Sequence, residues 1–193
     1  VPKNAYVSRI TASRHDNNTV YATFDNHRND DMGVYVYASA DGGNTFRSIG
    51  EGISRGHAVT AFAEDPKNAN VVYAGSEFGL FVSLDRGGRW QRMKGGLPTV
   101  PIHEIIFHPR DNDMIVATHG RSIWILDDAT PIQQYAEAQK SPMHLFDIRP
   151  AMQYNQANDR GSLADNGFWG KNPAYGAASS YYLAQPAASF ALR

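Results

Sequence analysis

The sequence predicts an all-β fold made of successive four-stranded antiparallel meanders, and three observations carry that prediction. Short segments rich in Val, Ile, Tyr, Phe and Thr alternate with Gly, Asn, Asp and Pro clusters about every ten residues. Three separate markers, a polar turn, an apolar strand and a glycine turn, each have one pair of copies at a spacing of 43 to 44 residues. The stretches between them lack the i, i+3, i+4 apolar spacing that helical repeats of this length require.

The first repeat, residues 1–54, carries Arg14-His15-Asp16-Asn17-Asn18, then Val20-Tyr21-Ala22-Thr23, then Ser39-Ala40-Asp41-Gly42-Gly43-Asn44-Thr45-Phe46. The second, residues 55–98, shows Glu64-Asp65-Pro66-Lys67-Asn68-Ala69-Asn70, then Val72-Tyr73-Ala74-Gly75, then Ser83-Leu84-Asp85-Arg86-Gly87-Gly88-Arg89-Trp90. Its strands are predicted at 57–63, 71–76, 80–84 and 90–94. The third, residues 99–129, has His108-Pro109-Arg110-Asp111-Asn112-Asp113 and Ile115-Val116-Ala117-Thr118, and ends in Ser122-Ile123-Trp124-Ile125-Leu126-Asp127-Asp128 without the glycines. A repeat of about 40 to 45 residues holding four antiparallel strands is the signature of a β-propeller blade. Residues 1–129 therefore read as a partial β-propeller of about three four-stranded antiparallel blades, fewer than the roughly four to eight that close a ring.

Within each glycine turn, Asp accepts hydrogen bonds from nearby backbone N–H groups, Gly supplies positive φ, and Ser or Thr hydroxyls add local bonds. Phe46 and Trp90 are expected to fold back between sheets and bury their rings. Ser39, Asp41, Gly43, Thr45 and Phe46, with Ser83, Asp85, Gly87 and Trp90, are accordingly read as turn-makers rather than catalysts. The two turns resemble Asp-boxes, S-x-D-x-G-x-T-W, the repeat of bacterial sialidases, sortilin-type propellers, xyloglucanases and photosystem assembly factors; Phe46 stands for Trp in the first and Arg89 for Thr in the second. Residues 117–128 are similar to the last blade of large bacterial secreted proteins with sortilin-like repeats, often labelled glycosyl hydrolase. That resemblance covers the whole chain and implies an extracellular or periplasmic location and a protein, peptide or glycan ligand.

In an up-and-down meander, the two-to-three turns and the links between blades share one face. That face collects Glu77 and Phe78, His119, Gly120 and Arg121, and the link residues Arg55, His57, Pro101 and His103. Candidate ligand contacts are Glu77, His103, Glu104, His119 and Arg121. His119-Gly120-Arg121 can hold a carboxylate or sugar hydroxyl; alternatively Arg121 pairs with Asp127 or Asp128 and His119 caps a loop. His57 and His103 are read as equivalent positions, which suggests blade building. Asp25, Asp30 and Asp31 with Asn26 offer oxygens but lack the ligand spacing of a calcium loop, so a solvated acidic loop is expected.

Catalysis of glycoside cleavage needs paired carboxylates or, in sialidases, a Tyr nucleophile with several arginines. The chain has five Glu, of which Glu77 and Glu104 fall near the candidate face, and no Arg-Ile-Pro segment. Phosphate-loop, His-Glu-x-x-His and G-x-S-x-G motifs are absent. With 18 Lys and Arg against 19 Asp and Glu, the net charge of −1 points away from nucleic acid and anionic membranes. No cysteine is present to form disulfides or thiolate sites. The expectation is a non-catalytic binding module without cofactor or metal; the alternative is the cleft wall of a sialidase- or xyloglucanase-like glycosidase.

Residues 130–171 read as a connector, with a helix at 132–139 opened by Thr130 as N-cap and Pro131, a strand at 143–148, and a linker-like stretch that Phe168-Trp169 could anchor. Residues 172–193 resemble the start of an immunoglobulin-like sandwich. The initial Val and a final Arg193 inside an apparent strand suggest a piece of a longer chain. Remaining blades of that parent are expected partners, and open blade edges suggest self-association.

Overall fold

The structure is a computed structural model, and it describes residues 2–56, 58–153 and 175–187. The chain divides into two compact units, Val1–Ala136 and Glu137–Arg193. In the first, strands run β1 (Tyr6–Ala12), β2 (Val20–Asn26), β3 (Asp31–Ser39), β4 (Arg47–Ser48), β5 (Val59–Glu64), β6 (Val72–Ser76), β7 (Gly79–Ser83), β8 (Gln91–Arg92), β9 (Ile102–Phe107), β10 (Met114–Thr118) and β11 (Ile123–Leu126). They form three antiparallel sheets in chain order, β1 to β4, β5 to β8, and β9 to β11. The predicted repeat of meanders is present.

The third sheet has three strands rather than four. Without a glycine pair the chain makes no box turn after Leu126; Asp128 takes a left-handed φ of 58° and leads into helix α1 (Thr130–Gln133). The fourth strands of the other sheets are two residues long, each followed by one more backbone bond to the third strand, Ile49 N–H to Val36 O and Met93 N–H to Leu80 O, both at 2.8 Å. Ala129 rather than Thr130 is the α1 N-cap, without a side-chain cap bond, and the predicted helix is broken at Gln134, with α2 following at Tyr135–Ala138.

Alternation along each strand sends side chains to both faces of the middle sheet. Val59, Phe62, Val72 and Phe81 join Tyr21, Val36, Ala38 and Ile49 between the first and second sheets, with the Tyr21 and Phe62 rings 4.7 Å apart. Ala61, Ala63, Tyr73 and Leu80 join Ile102, Ile105, Met114 and Val116 between the second and third. The approach at this second seam is close enough that a Cβ on Gly75 would lie 2.6 Å from Ile102 Cγ2. Gly75 is therefore a packing requirement.

All three first strands carry the same irregularity. The register slips between Val7 and Arg9, between Val59 and Ala61, and between Ile102 and Glu104, leaving Ser8, Thr60 and His103 as the extra residues. Each hydroxyl then ties its sheet to the next: Ser8 Oγ donates to Val59 O at 2.8 Å, and Thr60 Oγ1 to Ile102 O at 2.6 Å. His103 thus corresponds to Ser8 and Thr60, which corrects the pairing of His103 with His57; His57 lies outside the described residues. The ladders also align Val72 with Met114, not Ile115, because the turn before β10 is one residue shorter than the turn before β6.

The two ends of the sheets differ in content as the meander requires. At one end the glycine turns bond the one-to-two turns, through Gly42 N–H to Asn18 O and Arg86 N–H to Asn70 O at 2.8 Å each. At the other, Glu77 N–H bonds Ala58 O and His119 N–H bonds Pro101 O, which joins two-to-three turns to the links. In the second unit, β12 (Met143–Leu145) pairs antiparallel with β13 (Tyr181–Leu183). The predicted strand at 143–148 therefore finds a later strand as its neighbour, while Phe168-Trp169 and residues 188–193 lie outside the described residues. No helix among the described residues is long and apolar enough to cross a membrane.

Candidate ligand-binding site

The box carboxylates are fully engaged in their own turns. Asp41 accepts from Thr45 Oγ1 at 2.6 Å, Thr45 N–H at 2.8 Å and Ser39 Oγ at 2.7 Å, and these bonds hold its carboxyl down to about 2. Asp85 accepts from Ser83 Oγ at 2.8 Å and Arg89 N–H at 2.7 Å. Burial pushes its carboxyl up, but those hydrogen bonds outweigh it and the group lies below the ordinary range. Gly43 and Gly87 N–H groups bond Ser39 and Ser83 Oγ, so the second turn keeps its geometry although Arg89 replaces Thr.

Trp90 is buried and donates from Nε1 to Ile49 O at 2.6 Å. Phe46, expected to behave alike, is 44% exposed. Trp90 packs on the sheet that precedes its own, whereas the described residues place no sheet before that of Phe46. The acidic loop is likewise self-satisfied: Asp25 accepts from His27 N–H, and Asp31 from Asn26 Nδ2, Gly33 N–H and Tyr35 Oη.

The predicted contacts separate into different places. The His103 and His119 rings lie 5.2 Å apart, both exposed, at the link-bearing end of the third sheet. Glu77 is half-buried in the turn between β6 and β7. Arg121 is exposed in the turn between β10 and β11, its carbonyl accepting from Trp124 Nε1 at 2.9 Å, while Asp128 Oδ1 accepts from Thr130 N–H. Glu104 leaves that face altogether: it sits inside β9 and pairs with Arg9 of β1 at 2.5 Å.

That ion pair spans a cleft bounded by the first strands of all three sheets, with a volume of about 380 Å³. Arg9, Arg14, Glu64 and Glu104 supply its charged groups and Ile10, Phe62 and Ile105 its apolar wall. Arg9 and Glu104 hold the same repeat position, one residue past the bulge, and the intervening repeat has Ala61 there. Arg9 Nε is shielded from solvent without a hydrogen-bond partner among the described residues.

Glu64 closes the inner end of the cleft. Although predicted in a polar turn, it is the last residue of β5 and is 5% exposed. Ser13 Oγ donates to both its oxygens at 2.8 and 2.9 Å, Arg14 N–H at 2.7 Å and Tyr21 Oη at 3.1 Å. Desolvation, reinforced by the Glu64 charge, raises the Tyr21 phenol to about 12. Beside it, buried Asp65 accepts from Tyr73 Oη and Gln133 Nε2, both at 3.1 Å, so α1 is anchored to the second sheet. The signal for Glu64 was present in the repeat, since its equivalents are Ala12 and Phe107. Arg9 and Arg14 had no such signal, because their partners lie about 50 residues or more away in sequence.

No family model matches the chain, and no curated protein matches it. Among solved structures it is similar to an ancestral GH74 enzyme, at 15% identity and a TM-score of 0.46 over 62% of this chain and 17% of the other. It is also similar to the GH74 xyloglucanase from Xanthomonas campestris, at 19% identity and a TM-score of 0.46 over 64% of this chain and 22% of that one. A third likeness is to the computationally designed Ika4 protein, at 17% identity and a TM-score of 0.42, covering 64% of this chain and 66% of that one. The chain thus spans about a fifth of the length of the two enzymes.

Proposed function

We propose that this chain is a non-catalytic binding module, three blades of a larger extracytoplasmic Asp-box propeller, and that its ligand is a glycan or peptide segment seated in the cleft of the first strands. The observation that carries this reading is the Arg9–Glu104 pair across that cleft, with Arg9 Nε unpartnered. A ligand carboxylate that takes the place of Glu104 meets a guanidinium suited to binding oxygen pairs bidentately. Ile10, Phe62 and Ile105 provide the apolar wall against which a sugar face or a side chain packs. The exposed His103, His119 and Arg121 extend recognition to the link-bearing face.

The alternative, the wall of a sialidase- or xyloglucanase-like cleft, draws on two carboxylates, Glu64 and Glu104, in one cavity. Glu64 already accepts from Ser13, Arg14 and Tyr21, and Glu104 pairs with Arg9, so a catalytic role would require each carboxylate to give up partners it holds in this structure. Binding of the purified chain to glycan and peptide arrays, repeated with Arg9→Ala and Arg121→Ala, tests the reading. Binding without turnover, lost in Arg9→Ala, supports it. Hydrolysis of aryl glycosides that disappears in Glu104→Gln or Glu77→Gln replaces it with the enzyme.

A further inference from the structure

The last residue of β5 and the residue after it carry buried carboxylates that face opposite ways. Alternation turns Glu64 toward the first sheet and Asp65 toward α1. Each accepts from a tyrosine on its own side, Tyr21 for Glu64 and Tyr73 for Asp65, both at 3.1 Å. These two tyrosines hold the same repeat position.

Asp65 is held from both sides. Gln133 of α1, itself buried, donates from Nε2 to Asp65 Oδ2 at 3.1 Å and exchanges two bonds of 3.0 Å with the Asn112 amide in the turn before β10. The Gln133 carbonyl accepts from Asn68 Nδ2 at 2.6 Å. Asp65 Oδ1 accepts from the Lys67 and Asn68 N–H groups, which sets the turn before β6. On the other side, the Asp65 carbonyl accepts from His15 Nε2 at 2.7 Å; a carbonyl cannot donate, so the proton sits on that nitrogen. His15 follows Ser13 and Arg14, whose hydroxyl and backbone N–H hold Glu64 at the inner end of the cleft. One residue thus stands between α1 and that wall.

The bond that seats α1 is the one the glycine turns use elsewhere. Ala129 N–H meets Asn112 O at 2.8 Å, as Gly42 meets Asn18 and Arg86 meets Asn70, each donor lying three residues past the end of a third strand. The glycine turns then continue into a fourth strand. Here the chain enters a four-residue helix whose N-cap makes no side-chain bond. Apart from Ile132, which packs on the core, α1 is held by hydrogen bonds that water can replace on release. The first unit ends at Ala136, three residues past Gln133.

We propose that α1 is a clasp that governs the inner end of the cleft. With Gln133 seated, Asp65 is fixed, and Glu64, Ser13, Arg14 and His15 keep their places. Withdrawal of α1 leaves a buried carboxylate short of a donor, so Asp65 rearranges and carries its carbonyl and the adjacent Glu64 with it. The segment beyond Ala136 is the handle, because movement there draws on Gln133. The clasp acts on the wall of the cleft and holds whatever the cleft binds.

Amide hydrogen exchange of the full chain, resolved by NMR, tests this. Arg14 N–H, bonded to Glu64 Oε2, reports on the wall; Ala129 N–H, bonded to Asn112 O, reports on α1; Ile49 N–H, bonded to Val36 O, reports on the first sheet elsewhere. In Gln133→Leu, the Ala129 and Arg14 amides should both exchange about 5- to 10-fold faster, the loss of one net hydrogen bond, with Ile49 unchanged. Should that variant lose its β-sheet circular dichroism, Gln133→Asn, one methylene short of Asp65, repeats the test. Only the joint response of Ala129 and Arg14 supports the clasp. Faster exchange at Ala129 alone makes α1 a local end, faster exchange at Ile49 as well is general destabilisation, and an unchanged Ala129 means that Gln133 does not seat α1; each overturns the proposal.

Discussion

The middle sheet and its two neighbours follow one repeat and differ in what lies against them. Every residue of β6 is buried, whereas every residue of β11 is exposed, although both are rich in apolar side chains. Phe62 is 4% exposed and its equivalent Ile10 is 66% exposed; Trp90 is 8% exposed and Phe46 is 44% exposed. Identical positions therefore differ in energetic weight by the presence of a neighbouring sheet, since burial is removal of area from water and not a property of the residue. The Asp-box turns show the converse. Asp41 and Asp85 both accept from the Ser hydroxyl two residues earlier and the backbone N–H four residues later, because these partners are local.

The contrast is broken most strongly at the Phe62 and Ile10 pair. Phe62→Ala is expected to cost about 3 to 5 kcal/mol and Ile10→Ala less than about 0.5 kcal/mol, read from urea unfolding; equal losses would mean that the first sheet is covered as the second is. Next comes Gly75→Ala, whose new Cβ collides with Ile102. A loss of about 1 to 3 kcal/mol is expected, while Ala117→Gly at the equivalent place in the third sheet costs about 1 kcal/mol or less. Thr60→Val removes the hydroxyl that ties the second sheet to the third, and about 1 kcal/mol should follow in thermal unfolding.

The smallest effects are titrations. Asp41 is expected to titrate near 2 by carboxyl-carbon NMR, against about 3.9 for a free Asp. Its folded value is depressed, so its contribution is complete above the unfolded value and is lost as pH falls from about 4 toward 2. Tyr21 runs the other way. With its folded value raised to about 12, its contribution is complete below about 10 and is lost as pH rises through 12, a transition that Glu64→Gln should move downward, monitored by tyrosinate absorbance.

Much of this fold is legible along the chain because its repeat is local. The meanders, the glycine turns and the sharing of ends between turns and links all follow from short-range patterns such as Ser39-Ala40-Asp41-Gly42-Gly43 and from the polarity of the turns. The cleft is far less legible. Its nearness to His103 in sequence points Glu104 to the loop face, but a bulge and a strand alternation turn it toward Arg9, 95 positions earlier. Glu64 reads as part of a polar turn because Asp65 and Pro66 follow it, yet Ser13, Arg14 and Tyr21 of another sheet make it a strand residue with satisfied oxygens.

By itself, then, the sequence determined the strands, their order and the chemistry of the turns, since these rest on interactions within a few residues of one another. Tertiary structure decided which faces are covered and which charges meet in the cleft. Those outcomes depend on stacking one sheet against the next, where a one-residue bulge or a missing neighbour redirects side chains that the linear pattern treats as equivalent.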